Sequence, residues 1–248
     1  MTNLAIECSG TAGSVALFDG QTPIAYADLD TSVGSVRTMA GAIESILRGR
    51  PEPKFVSVTS GPGSFTGLRV GLTTAKMLGM AWGIPVVPVD TLHAISLRAF
   101  RAIPHVALGD SFVAVINAFR GQVFASVVSF AESEQMTVLA ESCVLDAATW
   151  RSNPVASLGD GRLLFRSERP SWITGPGLRS YPMSSEQLEG LLVDESLWDP
   201  TAAEVAALGL VGFESGRATS ADKLEPNYIR ASAAEEKRKQ TIGQQDQA

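Results

Sequence analysis

The sequence predicts an α/β protein made of two copies of a βββαβα unit. Apolar runs typical of strands alternate with segments of helical periodicity, and the order of elements in the first half recurs in the second. The composition is that of a globular protein, with 45% hydrophobic and 19% charged residues among 248. Identity between the halves is weak, so the duplication rests on element order alone.

The first half is predicted to hold a three-stranded meander followed by alternating helices and strands. Asp19-Gly20 is typical of the hairpin turn between the second and third strands. Thr31 or Ser32 is the predicted N-cap of the first helix. The apolar face of that helix holds Val36, Met39, Ala40, Ile43, Ile46 and Leu47. The strands are predicted at residues 3–9, 14–20, 23–29, 55–60 and 84–90, and two further helices at 64–82 and 91–100.

The second half repeats this order less clearly. Asp146 can cap a short helix that ends near Arg151, and Thr201 with Glu204 has the spacing of a capping box at the start of a longer helix that Gly216 can close. The strands are predicted at residues 112–117, 121–130, 136–145, 154–160 and 171–175. We therefore expect an N-terminal partner-binding lobe at 1–103. A more divergent lobe follows at 104–230, whose last helix packs back on the first lobe. The tail at 231–248 is charged and lacks aromatic residues, so we expect it to be disordered.

Charge and composition exclude several classes of function. A net charge of −6 and a pI near 5.0 argue against strong nucleic-acid binding by the chain alone. Cys8 and Cys143 fit buried small hydrophobic positions, and His93 and His105 lack the spacing of zinc ligands. The N-terminus does not read as a signal peptide, and the uncharged stretch at 77–89 is too short to span a membrane. We expect a cytoplasmic protein.

The stretch FVSVTSGPGSFTGLRVGLTTAK, Phe55–Lys76, places a glycine-rich loop between a strand and a helix. Such a turn can direct backbone N–H groups at a phosphate, although Gly67 is not followed by the Lys-Ser/Thr of a Walker A loop. A dinucleotide interpretation uses Gly61, Gly63 and Gly67 with Asp90 as a ribose ligand. The structural alternative is a tight turn with Ser64 or Thr66 as the helix cap.

The helix after this loop has small residues every four positions and only two charges, Arg69 and Lys76. A row of small residues flattens one ridge of a helix, so that another element can approach closely. Either the protein's own sheet or a helix of a partner could be that element. We predict a partner interface. Its residues would be Gly67, Arg69, Gly71, Ala75, Lys76 and Gly79, with Gly83 ending the row and Ile43 and Ile46 on the neighbouring helix.

Three blocks of the chain resemble the TsaB (YeaZ) family: LAIECSGTAGSVALFDG, SGPGSFTGLRVGLTTAKMLGMAWGIPVVPVDTL and the closing LEPNYIR. The resemblance is strongest over residues 3–98, weaker through the second half, and returns at 224–230. It implies an actin-like ATPase (ASKHA) fold of two ribonuclease-H-like lobes. It also implies a non-catalytic subunit that pairs with its catalytic paralogue TsaD in making threonylcarbamoyladenosine on tRNA, joined by the ATPase TsaE.

The sequence departs from the family pattern where actin-like ATPases hold Mg²⁺. Glu7 stands where relatives commonly have Asp, and NAFRGQVF stands where they read DARRGEVY, so that Asn117 and Gln122 replace acids. These changes make phosphoryl transfer by the chain alone doubtful. ATP or ADP with Mg²⁺ is expected to bind only weakly, near Glu7, Gly61, Gly63 and Ser64, or at the partner interface.

We therefore expect a scaffold that contacts tRNA only through the complex, with a homodimer as the form open to the isolated chain. The main alternative is an actin-like ATPase or small-molecule kinase that acts alone, which ATP turnover by the isolated chain would reveal. An NAD(P)-dependent oxidoreductase is a further alternative.

Overall fold

The structure, a computed structural model, describes residues 1–29, 35–104, 106–107, 109–131, 134–152, 171–183, 191–227 and 229. Three predicted features lie outside this part of the chain: the N-cap at Thr31 or Ser32, the strand at 154–160 and the disordered tail at 231–248. No helix of the described residues is long and apolar enough to cross a membrane.

The first sheet contains five strands in the order β3-β2-β1-β4-β5. β1 pairs antiparallel with β2 and parallel with β4, so the meander is extended on one side by parallel strands. The strands are β1 (Thr2–Glu7), β2 (Gly13–Asp19), β3 (Thr22–Leu29), β4 (Phe55–Gly61) and β5 (Val86–Asp90).

The second sheet has the order β8-β7-β6-β9, in which β6 again pairs antiparallel with a hairpin partner and parallel with a later strand. Its strands are β6 (Ser111–Phe119), β7 (Gln122–Phe130), β8 (Met136–Asp146) and β9 (Ser171–Thr174). The predicted duplication is therefore visible as the same central pattern in both sheets. The helices are α1 (Ser35–Leu47), α2 (Phe65–Trp82), α3 (Thr91–Ala102), α4 (Ala147–Ser152), α5 (Gly177–Ser180) and α6 (Ala202–Glu214).

Helices cover both faces of the first sheet because its central strands are apolar on both sides. Successive residues of a strand point to opposite faces. Leu4 and Ile6 of β1 belong to the core under α1 and α2, whereas Ala5 between them packs with α6. Small side chains on the α6 side allow that helix to lie close to the strands.

Two helices connect the halves of the molecule. α3 follows the last strand of the first sheet but packs on β6 and β7, and α6 follows the second sheet but packs on β1, β2, β4 and β5. Their starts are fixed by the side-chain caps that the sequence signals. Asp90 accepts from Leu92 N in α3, and Thr201 and Glu204 form the predicted capping box of α6.

α6 is held on the first sheet by a buried polar contact. Asn3 Nδ2 donates to the carbonyl of Ala206 at 3.0 Å, and Ser57 Oγ donates to Asn3 Oδ1 at 3.0 Å. Gly209 makes this approach sterically acceptable. A Cβ at that position would overlap Ser57 Cβ and lie 2.7 Å from Ser57 Oγ.

We predict that Gly209→Ala destabilises the chain by about 1–3 kcal/mol through overpacking against Ser57. In a Ser57→Gly background the same change should cost much less, because the clash is gone, and urea unfolding of the four chains measures this coupling. Gly41→Ala is the matched control: it lies in α1 with open space around it, so alanine should stabilise by up to about 1 kcal/mol. Equal effects of Gly209→Ala in both backgrounds would contradict this packing.

Candidate functional site

The GPGSFTG loop is built around contacts with the turn after β1. Ser64 N donates to the Ser9 carbonyl at 2.7 Å, and a Cβ on Gly63 would lie 2.5 Å from that oxygen. Ser64 Oγ accepts from Gly67 N at 3.3 Å, which makes Ser64 the N-cap of α2. The two donors Ser64 N and Gly67 N are therefore used within the protein, as the structural interpretation of the loop predicts.

Gly61 lies at a different point, against the closing LEPN segment. Its φ of 121° is a conformation that glycine adopts readily, and a Cβ there would lie 3.0 Å from the Asn227 carbonyl oxygen. Asn227 N donates to the carbonyl of Ser60 at 2.8 Å, and Leu224 is buried in the core with α2. The second and third family blocks thus meet in space.

The prediction that the small-residue row of α2 faces a partner is wrong. Gly67, Gly71, Ala75 and Gly79 are all buried in the protein's own core. A Cβ on Gly67 would overlap the Cys8 carbonyl oxygen, and one on Gly79 would lie 2.9 Å from both Ala221 Cβ and Val86 Cγ2. Gly67 thus lets the start of α2 lie directly on the chain after β1, and Gly79 lets its last turns lie against Val86 of β5 and Ala221. Gly83 is outside the row: it is exposed and forms the left-handed C-cap of α2.

Ile43 and Ile46 of α1 also face inward, with exposed fractions of 6% and 3%, in the same core as Leu4 and Ile6. Their assignment to a partner interface is therefore wrong for the same reason. α1 and α2 contact each other, so the two helices still form one layer over the sheet.

The opposite side of α2 carries an exposed apolar face that the sequence analysis missed. Met77 and Met80 are 66% and 64% exposed, and Phe65 and Trp82 at the two ends are also exposed. Arg69 lies on this face with its guanidinium 4.3 Å from the centre of the Phe65 ring, and half-buried Lys76 borders it. Trp82 is two residues after Met80 and therefore lies on another side of the helix. We call Phe65, Arg69, Met77 and Met80 the α2 outer face. The sequence feature that indicates this face is the position of Met77 and Met80, which do not fall on the four-residue spacing of the small residues.

Glu7 lies at the end of β1 and is fully buried. Its Oε1 accepts from Ser9 N at 2.6 Å and from Ser9 Oγ, while Oε2 has no hydrogen-bond partner. Burial raises the pKa of Glu7 to about 7. The hydrogen bonds from Ser9 act in the opposite direction, and the charges of Asp199 and Glu204 add to the rise. Glu7, Gly63 and Ser64 therefore meet around Ser9, and Gly61 lies apart from them.

The second predicted position of the Mg²⁺ site holds no acid. Asn117 Oδ1 accepts from Phe119 N at 2.7 Å, and its Nδ2 donates to Ser180 Oγ at 2.9 Å. Across the described ranges no group of three His, Cys, Asp or Glu side chains could hold a metal ion. Asp90, the ribose ligand of the dinucleotide interpretation, instead caps α3 and accepts from Ser142 Oγ at 2.7 Å.

Two sheets with this strand order, covered by helices and joined by α3 and α6, define the actin-like ATPase fold with two ribonuclease-H-like lobes. The solved structure of YeaZ from Pseudomonas aeruginosa superposes with a TM-score of 0.73 at 20% identity, over 92% of this chain and 99% of that one.

Sequence comparison shows similarity to TsaB proteins. The chain is 26% identical over 246 residues to the tRNA threonylcarbamoyladenosine biosynthesis protein TsaB of Bacillus subtilis, covering 96% of this chain and 97% of that protein. The Escherichia coli TsaB protein is 24% identical, over 94% of this chain and 96% of its own. A family model of TsaD, tRNA N6-adenosine threonylcarbamoyltransferase, matches residues 41–162. The chain is thus similar to TsaB proteins along nearly its whole length.

The buried carboxyl of Glu7 predicts a pH-dependent stability. Its pKa is raised from 4.5 to about 7 in the folded chain, so the folded state holds the proton more tightly than the unfolded state. The stability that this carboxyl contributes is present below pH 4.5 and is lost as the pH rises through about 7. Glu7→Gln stays neutral, so we expect it to match the parent near pH 5 and to be about 1–3 kcal/mol more stable at pH 8.5.

Urea unfolding at the two pH values measures this difference. Glu141→Gln removes an exposed carboxyl on β8 and is the control. Its free energy of unfolding should equal that of the parent at both pH values. A Glu7→Gln chain that keeps the same offset from the parent at pH 5 and pH 8.5 would contradict a neutral buried Glu7.

Proposed function

We propose that this chain is a non-catalytic subunit that binds and activates a TsaD-like paralogue during threonylcarbamoyl transfer to the adenosine next to the tRNA anticodon. The observation that carries this proposal is the match to TsaB proteins along nearly the whole chain. Those proteins take part in tRNA threonylcarbamoyladenosine biosynthesis by their names. A TsaE-like ATPase would join the pair, and tRNA would be contacted through the assembled complex.

The α2 outer face is the surface that we assign to the TsaD-like partner. Three large exposed apolar side chains on one side of a helix are unusual on a surface that stays in water, and such patches mark interaction sites. Methionine and aromatic residues with an arginine are also the types enriched in protein interfaces. The opposite side of α2 packs in the core, so the α2 outer face is the side of this helix that remains available to a second protein.

The chemistry of the partner fits this face. The TsaD family model matches residues 41–162, a range that includes all of α2, so the paralogue is expected to have a comparable helix in its own lobe. Two related lobes that place these helices against each other would form an interface with approximate twofold symmetry. The face carries Arg69 with Lys76 at its edge, so acidic side chains should border the apolar patch on the partner.

The residues at the two predicted Mg²⁺ positions give little support to a catalytic role for the chain itself. The Glu7 carboxyl is buried and bonded to Ser9, and Asn117 is neutral and bonded to Ser180. Holding Mg²⁺ between two lobes requires carboxylates that reach the ion. We propose that any ATP or ADP binds weakly or between the subunits, and that the partner supplies the transferase chemistry.

We predict that Met77→Glu and Met80→Glu each weaken binding to the TsaD-like partner by about tenfold or more. A carboxylate placed in an apolar interface must be desolvated without a partner charge. Both side chains are exposed, so the melting temperature of the isolated chain should change little. Val211→Glu, at a 49% exposed position on α6, is the matched control and should leave binding unchanged.

Isothermal titration with the purified paralogue measures the affinity. Tight binding by both methionine variants would contradict the assignment of the interface. ATP turnover near 1 s⁻¹ by the isolated chain, the low end for working enzymes, would favour the alternative of an ATPase or kinase acting alone if Glu7→Ala abolished it.

A further inference from the structure

The hairpin between β6 and β7 has an unusual tip. Phe119, Arg120 and Gly121 are consecutive residues with positive φ angles of 60°, 54° and 75°. Glycine adopts this left-handed conformation readily, but the Cβ of other residues is crowded there. Two residues with side chains thus keep a backbone conformation that is strained for them.

Contacts on both sides hold the tip in this conformation. The Asn117 side chain accepts from Phe119 N at 2.7 Å and donates to Ser180 Oγ at 2.9 Å, which ties the turn to α5. The carbonyl of Gly121 accepts from Ala147 N at 2.8 Å, which ties it to the start of α4. The tip is therefore a fixed platform rather than a loose loop.

Phe119 has the most exposed large apolar side chain of the described residues, at 70%. An aromatic ring that stays in water adds little to folding, and glycine would relieve the strain at this backbone position. The fold therefore does not account for phenylalanine here. Strained residues that the surrounding structure holds in place are often found where a ligand binds.

The charges around the ring favour an anionic ligand with an aromatic part. Exposed Arg120 is next to Phe119 in the turn, and exposed Arg151 is on α4, the helix that the Gly121 carbonyl anchors. The nearest acid in the chain is Asp146, the last residue of β8, which accepts from Thr149 N and Thr149 Oγ1 of α4; these hydrogen bonds lower its pKa. The hairpin and α4 together thus carry a positive surplus in a chain of net charge −6.

We propose that Phe119 and Arg120 form a contact for single-stranded RNA, in which an unstacked base lies on the Phe119 ring and a neighbouring phosphate meets Arg120. Recognition of looped-out bases by aromatic rings beside arginine is the usual way in which proteins bind single-stranded RNA. The proposal rests on the proposed function, since it assigns part of the tRNA surface of the assembled complex to this subunit. One such contact is too small to give the isolated chain strong RNA affinity.

The test titrates a fluorescein-labelled anticodon stem-loop RNA with the heterodimer of this chain and its TsaD-like paralogue, and follows anisotropy. Phe119→Gly should bind the RNA roughly five- to a hundredfold more weakly than the parent, the range for losing one base–aromatic contact. The same variant should melt at the parent temperature or above it, because glycine suits the backbone. Phe119→Trp should keep the affinity. Arg120→Gln should weaken binding and reduce its dependence on salt.

Tyr26→Ala, which removes an exposed aromatic side chain on β3, is the control and should leave RNA binding unchanged. Heterodimer formation is checked by size-exclusion chromatography before RNA is added. If the parent heterodimer does not form, the proposed function and this contact both fail. If it forms and Phe119→Gly binds RNA like the parent, the RNA contact alone is wrong. Phe119→Gly could instead weaken the binding of this chain to its paralogue, while the heterodimer that forms binds RNA like the parent. That result would show that the tip contacts a protein and not RNA.

Discussion

The close contact between α2 and the first sheet is the constraint on which the rest of the structure depends. It exists because Gly67 presents no side chain to the Cys8 carbonyl after β1, and Gly79 presents none to Val86 of β5. The same contact fixes the glycine-rich loop, since Ser64 must both cap α2 and donate its N–H to the Ser9 carbonyl. With one side of α2 packed in the core, Phe65, Met77 and Met80 are left exposed on its outer face. The main role of the GPGSFTG loop, which resembles a phosphate-binding loop, is thus to position α2.

Element order and helix caps could be predicted from the sequence because both depend on local signals. Alternating apolar runs, the Asp19-Gly20 turn and the Thr201–Glu204 capping box each act within a few residues, and each is found where it was expected. The orientation of α2 could not be predicted in the same way. A helix that is small or apolar almost all round has no polar side to mark the solvent, so its buried face is decided by the shape of the sheet beneath it.

The candidate site shows the same division between local and distant effects. The family resemblance implied a weak nucleotide site at Glu7, Gly61, Gly63 and Ser64, and the structure brings three of these together around Ser9 while Gly61 packs against Asn227. The resemblance could not show that the Glu7 carboxyl is closed off from solvent or that the charge of Asp199 acts on it, because these effects join residues nearly 200 positions apart. The positive φ of Phe119 was equally hidden, since nothing in NAFRGQ specifies that the turn starts before its glycine.

The central claim is that α2 uses its small residues for the core and its outer face for a TsaD-like partner. Oxidation of individual methionines by dilute hydrogen peroxide, followed by mass spectrometry, tests both parts at once. In the free chain Met77 and Met80 should be oxidised about as fast as exposed Met1, and buried Met39 much more slowly. Added partner should slow Met77 and Met80 by about tenfold and leave Met1 unchanged. Slow oxidation of Met77 and Met80 in the free chain would contradict the orientation of α2, and fast oxidation in the complex would contradict the interface.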